Sequence, residues 1–155
     1  MSVTYLLDTS ALLAHLQEEP GYELVERLLD EHPGEVFISA INWLEFHVRL
    51  KELIPDAKAR AETLSIYDEL LADALPVTRE VARAAFDLRE QLTARIPNAD
   101  ALIAATAQLA TATLVHRDPH FSAIPTKLVK QIVLPTKTSP SLTGRRGNRS
   151  SPPQV

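Results

Sequence analysis

The sequence predicts an α/β sandwich in which helices cover both faces of a parallel sheet. Three observations lead there. Short apolar runs of β-type alternate, through residues 1–134, with longer segments whose apolar residues recur at helical spacing. Two of those runs are closed by acids: Asp8 follows residues 3–7, and Asp118 follows residues 112–116 after one arginine. In open parallel sheets the ligand crevice lies at the carboxyl ends of the strands, so both acids stand where this fold class puts chemistry.

Residues 3–7 form the first strand, and Asp8 or Thr9 is placed to cap a helix over 9–17. A second helix over 21–31 pairs Leu24 with Leu28 and Val25 with Leu29 at i,i+4, and His32-Pro33-Gly34 stops it. Residues 35–39 read as a buried strand, followed by helices over 41–53 and 56–71 and a short strand over 74–77. Thr78 caps a helix whose inner face is Val81, Ala85, Leu88 and Leu92. Pro97 and Asn98 open another, running to about Ala110. Strands over 112–116 and 130–134 complete the pattern.

The chain has 155 residues, enough for one domain that buries roughly two-thirds of its unfolded surface without a disulfide or structural metal. It has no cysteine, which excludes thiol nucleophiles, thiolate zinc sites and disulfide frameworks. The N-terminus lacks the basic region of a signal peptide, and the longest weakly apolar stretch, 101–115, is too short to span a bilayer. A soluble, cytoplasmic protein with no membrane partner is expected. The domain is expected to end at 134. Residues 135–155, rich in Pro, Ser, Thr, Gly and Arg, carry too little apolar surface to order themselves and form a basic, disordered tail. The formal net charge is −4; the tail holds Lys137, Arg145, Arg146 and Arg149 and no acid, which leaves −8 on residues 1–134.

Two further acids lie near helix starts on the same edge. Glu45 falls in the first turns after strand 35–39, and Asp100 in the first turn after Pro97-Asn98. Each acid alone has a bland explanation: Asp8 as an N-cap, Asp100 favoured by the helix dipole, Glu45 solvated, Asp118 a turn former before Pro119. Four converging acids need another. Carboxylates crowded within a few ångström repel one another and hold protons at neutral pH unless a cation relieves them. An all-oxygen site suits Mg²⁺ or Mn²⁺, and such a metal activates water and stabilises a phosphoryl group under attack.

Four blocks carry a resemblance: Leu6-Leu7-Asp8-Thr9-Ser10-Ala11-Leu12, Asn42-Trp43-Leu44-Glu45, Asn98-Ala99-Asp100-Ala101-Leu102-Ile103-Ala104-Ala105, and Leu114-Val115-His116-Arg117-Asp118-Pro119-His120-Phe121. Together, at these separations, they resemble PIN-domain ribonucleases, above all the VapC-type toxins of toxin–antitoxin pairs. The resemblance implies a PIN-like three-layer sandwich with a five-stranded parallel sheet, a Mg²⁺ or Mn²⁺ site, and cleavage of RNA. It makes Asp8, Glu45, Asp100 and Asp118 the catalytic, metal-holding acids, with Ser10 orienting Asp8 or a metal-bound water. It also implies a small antitoxin whose arginine enters the acidic groove, and a homodimer. His116 departs from the pattern, since many relatives carry Thr or Ser there; an imidazole could ligate Mn²⁺, bond a phosphate, or pack passively.

Other residues read as structural. His15 is a tolerated helix residue, His47 points away from Glu45, and His120 could reach a phosphate but reads as surface. Trp43 could stack on a base, with core packing favoured. Arg79, Arg83, Arg89 and Arg95 stud one helix and pair with solvent or i,i+4 partners by default. Two competing functions remain. A phosphohydrolase of the haloacid type wants an acid where Ser10 stands, and a phosphoryl-accepting receiver wants two adjacent acids at its first strand. A non-catalytic binding module on the same fold would be signalled by loss of an acid, and none is missing.

The acidic body should repel RNA, so the basic tail is expected to gather it. Removing residues 135–155 should raise KM and leave kcat and stability nearly unchanged. On single strands each phosphate contact adds about 0.7 to the log–log salt slope, so four cations set a ceiling of about three units on the change. Equal KM and equal salt slopes in the full-length and truncated proteins would make the tail a solvated extension.

Overall fold

Neighbouring residues of a strand face opposite sides of its sheet, so a strand buried at consecutive positions must be covered twice. Leu6 and Leu7 are both completely buried, as are Leu114 and Val115. The computed structural model describes residues 4–136 and shows what covers them. In chain order the elements are β1 (Tyr5–Leu7), α1 (Thr9–Leu16), α2 (Tyr22–Glu31), β2 (Val36–Ser39), α3 (Ala40–Leu53) and α4 (Ala57–Leu70). There follow β3 (Ala74–Leu75), α5 (Arg79–Gln91), α6 (Asn98–Leu109), β4 (Thr113–His116), α7 (Pro119–Ser122) and β5 (Gln131–Val133). The five strands make one sheet in the order β3-β2-β1-β4-β5. Every neighbouring pair is parallel, with Leu6 opposite Phe37 on one side and Leu114 on the other.

Two cores flank the sheet. Leu6 and Leu114, with half-buried Phe37, meet Val81, Ala85 and Leu88 of α5, the inner face of α6, and Phe121 of α7. Leu7, Val36, Ile38 and Val115 meet α1 to α4 through Leu12, Val25, Phe46 and Tyr67. The three-layer α/β sandwich expected from the sequence is therefore present. Helix α6 is buried nearly all round, and its Ala101, Ala104, Ala105 and Ala107 leave room for α5 to lie close.

Differences from the sequence expectations are local. Strand β3 stops at Leu75 because Pro76 has no N–H to continue the ladder. Helix α7 has four residues, too few to show a periodicity, and the sequence suggested only a turn there. Gly21 adopts φ +92, and a Cβ on it would come within 2.9 Å of Pro135 Cδ, so the end of the domain crosses at a position only glycine fills without a shift. Most of the predicted disordered tail, residues 137–155, lies outside the described residues.

Because Leu6 is fully buried at the middle of the central strand, Leu6→Ala should destabilise the protein by about 2–5 kcal/mol. Val48→Ala, at a residue 53% exposed on α3, should stay within about 0.5 kcal/mol. Urea unfolding of the two variants measures the contrast, and similar costs would contradict the assignment of the core.

Candidate metal centre

Strand β1 has β2 on one side and β4 on the other, so the connections leave it in opposite directions and open a crevice at the carboxyl ends of β1 and β4. Asp8 and Asp118 flank that crevice. Asp8 follows β1 directly, and its backbone N–H donates to the Val115 carbonyl at 2.9 Å. It is the N-cap of α1 and only 4% exposed. Its Oδ2 accepts from the Ser10 N–H at 3.0 Å and the Ser10 hydroxyl at 2.5 Å, and its Oδ1 accepts from Asn42 Nδ2 at 3.0 Å. Ser10 Oγ in turn accepts from the Arg117 N–H at 3.1 Å, which ties the start of α1 to the loop leaving β4.

Asn42 is completely buried and was not singled out from the sequence for this part. It is the N3 residue of a capping box on α3: its amide oxygen accepts from the Ser39 hydroxyl at 2.7 Å, and its own N–H donates back to Ser39 Oγ at 3.1 Å. That box leaves Nδ2 free to face Asp8 and the Thr9 hydroxyl. The spacing Ser39-x-x-Asn42 was the available signal.

Asp118 caps α7 and accepts from the His120 N–H at 2.9 Å. Asp100 stands in the first turn of α6. The two are joined by the His120 ring, whose Nδ1 lies 2.9 Å from Asp100 Oδ2 and 3.3 Å from Asp118 Oδ1. Glu45, in the second turn of α3, has a buried Oε1 without a hydrogen-bond partner among the described residues. Asp8, Glu45, Asp100 and Asp118 thus gather at one edge. The bland expectation that Asp8 caps a helix holds as well, and Asp118, expected only to form a turn before Pro119, caps α7.

Electrostatics reflect the crowding. Burial pushes the Glu45 carboxyl up from 4.5 to about 7, with the charges of Asp8, Asp100 and Asp118 adding to it. Burial also raises Asp8, against the hydrogen bonds from Ser10, with the Asp118 charge raising it further. Asp100 is raised by burial and then by Asp118, while His120 pulls it down.

His116 sits outside this cluster's open side. It is fully buried, its Nδ1 accepts from the Asp118 N–H at 3.1 Å, and its Nε2 lies 2.8 Å from Gln131 Oε1. Because Nδ1 accepts, the ring proton is on Nε2 and is donated to Gln131, so neither nitrogen is left for a metal or phosphate. His15 bonds the Tyr67 hydroxyl at 2.7 Å, and Trp43 stacks at a tilt on Phe46. Arg83 pairs with Asp87 at 3.3 Å, and Arg89 bonds Asn98. These stay structural. His120 does not: read as surface, it faces two of the acids because α7 turns it toward Asp100.

A family model described as the PIN domain matches residues 5–127. The chain belongs to the PIN domain family. Its structure is similar to VapBC2 from Rickettsia felis bound to a promoter DNA fragment, at 23% identity and a TM-score of 0.68, over 86% of this chain and 100% of that one. FitAcB from Neisseria gonorrhoeae is 28% identical with a TM-score of 0.65, over 83% and 96%. VapC20 of Mycobacterium tuberculosis, a toxin described as cleaving the sarcin-ricin loop, is 18% identical with a TM-score of 0.60, over 77% and 94%. No curated protein matches the sequence. The fold of this PIN domain is the one seen in VapC-type toxins.

The donor set of the PIN domain fits a hard divalent cation. It offers carboxylate oxygens from four parts of the chain, one of them buried without a partner, and ligand atoms of Asp100, Asp118 and His120 lie within 4.8 Å of one another.

The raised Glu45 carboxyl sets a pH dependence. In the metal-free protein the folded state keeps this proton to about 7, whereas an unfolded chain releases it near 4.5. Between those values the folded state binds more protons, so stability falls as pH rises. Thermal unfolding in chelator should show a melting temperature that declines across that window, and Glu45→Gln should flatten the decline. An unchanged slope in the variant would place the titration elsewhere.

Proposed function

We propose that this PIN domain is a Mg²⁺- or Mn²⁺-dependent endoribonuclease and the toxin of a toxin–antitoxin pair, acting in the cytoplasm. The observation that carries the reading is the gathering of Asp8, Glu45, Asp100 and Asp118 at the β1/β4 crevice, where Asp8, Glu45 and Asp100 feel the charges of neighbouring acids. Acids that only capped helices would not be brought together with the carboxyls of Asp8, Glu45 and Asp100 held above the ordinary range.

In this reading the four acids hold the cation, which when bound lowers the pKa of a water and stabilises charge on the scissile phosphate. The chain's own residues supply order. Ser10 and Asn42 hold both oxygens of Asp8 in place, so Asp8 presents fixed lone pairs to the crevice. Ser10 also anchors the Arg117 backbone, and His116 anchors that of Asp118, which sets the approach of the β4 loop.

The likeness to VapBC and FitAB structures supports an antitoxin partner. An antitoxin arginine between the carboxylates would replace the cation's charge and silence the site. A homodimer belongs to the same reading, supported by the open apolar groove between α5 and α6 where Phe86 is exposed. A non-catalytic module on this fold is less well supported, because the full acid set is retained and ordered.

Purified protein should cleave RNA with Mg²⁺ or Mn²⁺ and stop in EDTA. Asp100→Asn should lower the rate on the order of 100-fold or more, with the fold intact by circular dichroism. Undiminished cleavage by that variant would remove the proposed site. Expression should slow growth, and co-expression of a small antitoxin that binds the chain should restore it; a harmless chain that still cleaves RNA would overturn the toxin assignment alone.

A further inference from the structure

We propose that His120 is a nitrogen ligand of the cation held at this site, which makes the Asp100–Asp118 side a mixed nitrogen–oxygen centre that favours Mn²⁺ over Mg²⁺. The inference rests on the metal-dependent reading above and deepens it, since a four-carboxylate site would offer oxygen alone.

Geometry carries it. His120 Nδ1 is 2.9 Å from Asp100 Oδ2 and 3.3 Å from Asp118 Oδ1. Adjacent ligand atoms of an octahedral shell with bonds of about 2.1 Å lie about 3.0 Å apart. His120 Nδ1 therefore stands at ligand spacing from an oxygen of each acid, and the three atoms, supplied by α6, the α7 cap and α7, lie within 4.8 Å of one another. The backbone that delivers the ring is held. Pro119 opens α7, the His120 N–H is bonded to Asp118, and the next residue, Phe121, is fully buried against the His116 ring. The imidazole itself is 54% exposed, so it borders the crevice without being a core side chain.

The other histidines are otherwise engaged. His116 uses both nitrogens on Asp118 and Gln131, His15 bonds Tyr67, His32 bonds Glu35, and His47 packs edge-on against Trp43. His120 is the histidine aimed at the acids. Its chemistry then discriminates between ions. Mg²⁺ takes oxygen ligands and keeps its waters, whereas Mn²⁺ accepts imidazole, and affinity for nitrogen donors grows along the first transition row.

The test reads the ligand directly, without relying on turnover. Full-length protein is loaded with Mn²⁺ and examined by pulsed electron paramagnetic resonance for nitrogen coupling, with and without ¹⁵N-labelled histidine. Mn²⁺ and Mg²⁺ affinities are measured by calorimetry on wild type and His120→Gln. The expected result is a nitrogen coupling that changes on labelling and is lost in His120→Gln. Mn²⁺ affinity should fall at least about tenfold, the loss that outer-shell partners alone cause, and Mg²⁺ affinity should fall much less. Bound Mn²⁺ without nitrogen coupling, or a coupling that survives His120→Gln, would overturn the proposal and leave the metal-dependent reading standing. Failure of the wild type to bind either ion would overturn both.

Discussion

Asp8 is a carboxylate buried at the end of the central strand, and the arrangement around the crevice follows from what keeps it there. A buried charge without partners costs several kcal/mol, so its oxygens must be met by donors held in place. Ser10 and Asn42 do this, and each needs support of its own. Asn42 is itself fully buried and is satisfied by the Ser39 cap of α3. Ser10 Oγ takes the Arg117 N–H, which fixes the exit of β4. One buried oxygen pair thereby sets the relation of α1, α3 and the loop that carries Asp118.

The price of that relation is electrostatic. Burial, with the charges of the acids gathered beside it, raises Asp8, Glu45 and Asp100, so the metal-free protein holds protons that the unfolded chain would release more easily. Two apolar cores, one on each face of the sheet, offset this strain. Stability and site are therefore opposed at one edge of the sheet and reinforced everywhere else, the pattern of a binding site built on a rigid scaffold.

Local and functional chemistry coincide at the caps. Asp8 and Asp118 both accept a backbone N–H two residues on, which starts a helix, and the same bond aims the carboxylate at the crevice. His116 extends this by accepting the Asp118 N–H while Gln131 Nε2 donates to the Ile124 carbonyl, a relay from the last strand to the acid.

By itself the sequence determined the succession of most strands and helices and the placement of Asp8 and Asp118 just beyond strand ends, because periodicity, caps and strand-end position are local properties written in adjacent residues. Helix α5 reads directly from Val81, Ala85 and Leu88 under the Thr78 cap. Tertiary structure alone decided what those residues meet. Asn42 became the partner of Asp8 across 34 positions, because a capping box leaves its amide pointing at the neighbouring strand end. His116 turned inward, because the alternation of β4 puts it on the Phe121 side of the sheet. His120 turned toward Asp100, because a four-residue helix too short to show a period rotates it there. Contacts between segments far apart in the chain depend on how strands order in the sheet, and no local pattern carries that order.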